Sequence, residues 1–126
     1  MKGYIGNIEK ETKENENFRK VLFTAPHSQL VVMSLLPGED IGEEVHEVDQ
    51  FIRIETGKGK AVLDGEEFEI EDDWAVVIPA GTRHNIINTS SEKMKLYTIY
   101  SPANHPEGTI HSTKEEAMKA EAEHHH

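Results

Sequence analysis

The chain has 126 residues, a mass of 14.2 kDa and a mean hydropathy of -0.62, which is the size of one domain with a core of its own. Its 24 acidic residues against 13 basic ones give a net charge of -11, which argues against nucleic-acid or anionic-membrane partners, because phosphate recognition needs a basic face. Cysteine is absent, so disulfides, thiolate nucleophiles and sulfur-ligated metal centres are excluded.

Residues 1–18 are charged and polar and read as a solvated arm. They carry no apolar segment of the secretory-leader type, and no apolar run approaches the ~20 residues that span a bilayer. A cytoplasmic protein is expected. From residue 19 to 101 short β-branched runs alternate with turn residues. The spacing predicts strands over 20–24, 29–36, 48–55, 60–63, 66–70, 74–78, 84–88 and 94–100. Asp64-Gly65 between two alternating runs is the strongest hairpin signal, since a type I′ turn requires positive φ at both positions. Some eight such strands predict an all-β sandwich or barrel. Residues 102–123 then form a Pro- and Gly-containing loop and a short C-terminal helix, opened by the capping box of Thr113 and Glu116. Three histidines end the chain, His124, His125 and His126, and read as a tag remnant, leaving five of the eight to explain.

Strand alternation sets Glu44, His46, Val48, Gln50, Ile52 and Ile54 on one face, and Val45, Glu47, Asp49, Phe51, Arg53 and Glu55 on the other. The two isoleucines mark the first face as the inner one. Glu44, His46 and Gln50 on an inner wall need partners, because an unpaired buried carboxylate is costly. A bound cation would satisfy all three. Further along, a buried strand ends at Pro79-Ala80-Gly81, and the next opens with His84, on one face with Ile86 and Asn88. Taken singly, His46 and His84 read as satisfied inner-wall histidines.

These two segments resemble the two motifs of the cupin superfamily. Gly38, Glu44, His46, Gln50 and Gly57 keep the spacing of the first; Pro79, Gly81, His84 and Asn88 keep that of the second, with Asp73 where a glycine would sit. The resemblance implies a double-stranded β-helix, a jelly-roll barrel, over residues 19–101. It also implies one divalent metal (Mn, Fe, Ni, Co or Zn) at Glu44, His46, Gln50 and His84, with Glu44 and Gln50 standing where the family has a histidine and a glutamate. Such an oxygen- and imidazole-rich set suits those ions. Glutamine ligands also occur in cupin sugar and uronate isomerases. The function this implies is an enzyme acting on a small oxygen-rich substrate by isomerase-type proton transfer, with Glu44 as the proton-moving group and Arg83 as a substrate contact. The alternatives are an Fe(II)-dependent dioxygenase and a non-catalytic small-molecule-binding module. Family habit also implies a homodimer, which would cover the outward-facing Phe51. Trp74, Tyr97 and Tyr100 read as core or interface packing. The loop of 102–111, with His105 and His111, reads as a solvated connection rather than a cover over the barrel mouth, and His27 reads as a surface residue.

Overall fold

The computed structural model describes residues 2–124; His125 and His126, two of the three terminal histidines set aside above, lie outside the described residues. The strands fall where alternation and turn chemistry place them: β1 (Arg19–Thr24), β2 (Gln29–Leu35), β3 (Asp49–Thr56), β4 (Lys58–Leu63), β5 (Glu66–Glu71), β6 (Ala75–Ile78), β7 (His84–Asn88) and β8 (Met94–Ser101). A two-residue β9 (Ile110–His111) joins them. A six-stranded sheet in the order β6-β3-β8-β2-β1-β9 faces a three-stranded sheet in the order β5-β4-β7, an antiparallel jelly roll. Between the sheets lie Val31, Met33, Leu35, Ile52, Ile54, Ile86 and Leu96, all of them sealed from solvent. Each contributes about 1.5–3 kcal/mol relative to exposure. The expected hairpin is present: Leu63 pairs with Glu66, with φ of 50° at Asp64 and 84° at Gly65.

The N-terminal segment departs from the expectation of a solvated arm, since it contains helix α1 (Ile8–Glu14). Asn7 caps it by accepting the Lys10 N–H at 3.1 Å. Polar residues tie it to the barrel. Thr12 is fully buried, the Lys95 ammonium donates to the Asn15 carbonyl, and Lys93 pairs with Glu16 at 2.5 Å. No apolar stripe announces this helix, which is why its polarity reads as solvation.

The C-terminal helix α2 (Lys114–His124) begins at the predicted capping box. The Glu116 N–H donates to Thr113 Oγ1 at 3.2 Å, and the Thr113 N–H donates back to Glu116 Oε2 at 3.3 Å. Among the described side chains of this helix Ala117 is the buried one, whereas Met118 is exposed. Trp74 is also exposed, standing at the start of β6 with half its surface in solvent and not in the core. No helix among the described residues is long and apolar enough to cross a membrane.

Candidate functional site

Glu44 and His84 are brought together by backbone. Ahead of β3, residues 38–46 run beside β7: the Ile41 N–H bonds the Ile86 carbonyl at 2.9 Å, and Glu44 and His84 exchange both N–H···O bonds at 2.9 Å each. Side chains of such a pair stand on one face. Burial along the segment alternates as the sequence requires, with residues 43, 45, 47 and 49 exposed and Glu44, His46, Val48 and Gln50 turned inward. Asn88, the last residue of the second motif, is wholly buried and serves the frame: its amide donates to the carbonyls of Leu35, Leu36 and Glu92.

The side chains converge as a consequence. The Glu44 carboxylate bonds directly to Nε2 of His46, and the His46 and His84 rings meet edge to face with centroids 5.0 Å apart. The Nδ1–H of His84 donates to the Thr82 carbonyl at 2.9 Å, which leaves Nε2 with its lone pair, the form a metal ligand needs. Deeper on the same wall, Gln50 donates to Thr98 Oγ1 at 3.0 Å and is 4% exposed. Its register neighbour Tyr100 packs against His46 at 5.8 Å between centroids. Burial raises the Glu44 carboxyl, but the His46 hydrogen bond and the charges of His46, Arg19 and His84 outweigh it and hold the group below the ordinary carboxylate range. Burial drives the Tyr100 phenol upward, so it stays protonated.

A cavity of about 760 Å³ opens beside Glu44 and His46. Its far wall includes the segment expected to be a solvated connection, since His105, Pro106 and His111 line it, together with Ala120 and Glu121 of the C-terminal helix. The loop is held down by Gln29, a buried residue of β2, which donates to the His105 carbonyl at 2.7 Å and accepts the Asn104 and His105 N–H groups at 3.1 and 3.0 Å. His105 packs edge to face on Tyr100 at 5.1 Å. Burial, with the charges of Arg19, His46 and His111, lowers its pKa to about 3, so it stands neutral at ordinary pH. Arg83 is not brought to this cavity: alternation from His84 turns it outward, where its side chain is 60% exposed beside Glu43 at 3.9 Å. The arginine that reaches the region is Arg19, which the sequence reading did not single out and which no local motif marks.

Two buried polar atoms of the site lack a partner, Gln50 Oε1 and His46 Nδ1. Among the described residues no three His, Asp or Glu side chains form a preformed metal cage, because Glu44 is turned onto His46 and the deepest donor is an amide. In donor chemistry the set nonetheless fits a divalent ion: an ionised carboxylate, an imidazole with a fixed tautomer, and a buried amide oxygen with no donor.

The family model of the cupin domain, Cupin_2, matches residues 31–100. The chain is a cupin. Similar chains include the uncharacterized protein YrkC of Bacillus subtilis, 50% identical over 127 aligned positions, covering 95% of this cupin and 68% of YrkC. An uncharacterized protein of Acanthamoeba polyphaga mimivirus is 50% identical over 113 positions, covering 85% of this cupin and 70% of that protein. Among solved structures, BH2720 from Bacillus halodurans superposes with a TM-score of 0.90 at 46% identity, covering 92% of this cupin and 93% of BH2720. That likeness extends beyond the cupin core of residues 31–100 to nearly the whole chain.

Proposed function

We propose that this cupin is a metal-dependent enzyme acting on a small oxygen-rich molecule, such as a sugar, sugar phosphate or uronate, by isomerase-type proton transfer. The observation that carries the reading is the unpaired, buried Gln50 Oε1 on the wall where Glu44, His46 and His84 converge. An orphaned acceptor in a protein interior calls for a ligand. Glu44, His46, Gln50 and His84 would hold one divalent transition metal, which when bound supplies Lewis-acid polarisation of a carbonyl or hydroxyl. The chain's own residues do the rest. Glu44, ionised at neutral pH and open to the cavity, is positioned to accept a proton. Thr82 keeps His84 in one tautomer. Tyr100 and the neutral His105 pack edge to face, His105 on the cavity wall and Tyr100 buried.

The test is elemental analysis by mass spectrometry of protein without the terminal histidines, purified without an immobilised-metal column. Near one metal per chain in the parent, lost in His46→Ala, His84→Ala and Gln50→Leu, is the expected result. The direct Glu44–His46 bond favours a second reading, a binding module without metal, since it pairs the Glu44 carboxylate with Nε2 of His46 without an ion. Metal-free parent protein, even after refolding with each candidate ion, gives that reading the lead.

A further inference from the structure

Arg19 opens β1 on the inward side of its strand, paired in register with Met33 on one flank and His111 on the other. Its side chain is only 2% exposed. Buried guanidinium groups are ordinarily paired with short, well-directed bonds. Arg19 is not. Its Nε has no partner, and the ion pair made by its Nη1 reaches Glu121 Oε1 at 3.3 Å, longer than the ~2.7–2.9 Å usual for charge-assisted bonds. Glu121 belongs to α2, lines the cavity and is itself 43% exposed. Behind the guanidinium, the Phe18 ring packs at 5.4 Å. The arginine's charge is felt by Glu44, Tyr100, His105 and His111, groups that surround the cavity. Arg19 itself stands behind the cavity wall, with Glu121 between the guanidinium and the open space, and among the described residues no Lys or Arg lines the wall.

We infer that Arg19 is the anion-recognition group of the cavity and that its ligand is a small carboxylate, which replaces the carboxylate of Glu121 on the guanidinium. This names the charged group of the substrate and rests on the reading of the cavity as a substrate site. A carboxylate fits better than a phosphate. The exchange is like for like in charge, whereas a dianion would meet Glu44 and Glu47 as well as Glu121 on the cavity wall. Nη1 and Nη2 together form the end-on fork that bidentate carboxylate recognition uses, and Glu121 engages it through Nη1 alone. Glu121 holds the place loosely, from a helix anchored by few buried residues, so its release costs little packing.

The test is calorimetric titration of the intact chain, without the terminal histidines, against three probes: lactate, the uncharged lactamide of the same size, and inorganic phosphate. Lactate is expected to bind and lactamide to bind roughly tenfold more weakly or worse. Arg19→Gln loses lactate affinity by a similar factor. Glu121→Gln, with the competing carboxylate removed, binds lactate several-fold more tightly than the parent. A purely structural latch predicts the reverse for Glu121→Gln, and a gain there cannot come from misfolding, so the inference stays testable should Arg19→Gln unfold. Equal binding of lactate and lactamide overturns it. So do unchanged or weaker lactate binding by Glu121→Gln, absence of lactate binding, or tighter binding of phosphate. Metal content, measured in parallel, should be the same in Arg19→Gln and Glu121→Gln as in the parent. Loss of lactate at constant metal assigns the effect to the arginine. Metal-free protein that still shows the Arg19 and Glu121 pattern removes the enzyme reading alone.

Discussion

His105 is a titratable group that folding keeps neutral, and its cost has a definite sign. Its folded pKa of about 3 lies far below the ordinary value of 6.5. Between those limits the unfolded chain binds a proton that the native protein refuses, so stability falls as pH drops below about 6.5. The slope from one such group approaches about 1.4 kcal/mol per pH unit as an upper bound. Glu44, with its depressed pKa, also gives up stability toward acid, but only as pH falls through its folded value, below the ordinary 4.5. Urea midpoints between pH 5 and 6.5 therefore report His105 together with His111, whose pKa burial also lowers, and the His105→Gln variant separates the two. The parent should weaken across that window, and His105→Gln should flatten the slope; an unchanged slope would show that the loop leaves its place before the imidazole titrates.

At the scale of elements, close approach sets the tolerances. A Cβ on Gly59 of β4 would stand 2.0 Å from the Ile87 carbonyl oxygen of β7, a backbone atom that cannot swing aside. Gly59→Ala should cost about 2 kcal/mol or more, read as a lowered urea midpoint at unchanged m. Thr113→Ala removes one half of the α2 capping box, for about 1 kcal/mol. Because α2 walls the cavity, faster amide exchange over residues 114–122 should accompany it. The β-elements were legible because alternation and turn residues are local, and Asp64-Gly65 specifies its own turn. The inner face running from Glu44 to Ile54 was legible for the same reason, whereas the convergence of His84 on it was implied only by the resemblance to the two cupin motifs. Two things were hidden. Helix α1 and its C-cap bury the polar Thr12 and Asn15, and the segment so lacks a hydrophobic period. The loop carrying His105 is pinned by Gln29, 76 positions away, and a clamp between two polar residues that distant leaves no trace in either segment.

For the whole molecule, the homodimer expected from family habit has a physical test. On the outer face of the six-stranded sheet Phe51 pairs in register with Val77 and with Ile99, and its ring lies 6.2 Å from that of Tyr97. Val77 is 64% exposed. Two chains of net charge -11 repel each other, so pairing through this apolar face should tighten with added salt, the opposite of association through ion pairs. Sedimentation should give the mass of two chains, falling to one in Val77→Asp; a single-chain mass at every salt concentration removes the dimer. One further consequence follows from the doubly bonded pair of Glu44 and His84. Both residues leave the backbone from a closed hydrogen-bonded ring whose dimensions do not depend on what either side chain is. The frame is thus indifferent to its insert. Glu44→His would exchange an oxygen donor for a nitrogen donor with no main-chain adjustment, so the chemistry of this barrel can be rewritten one letter at a time while its architecture stays as it is.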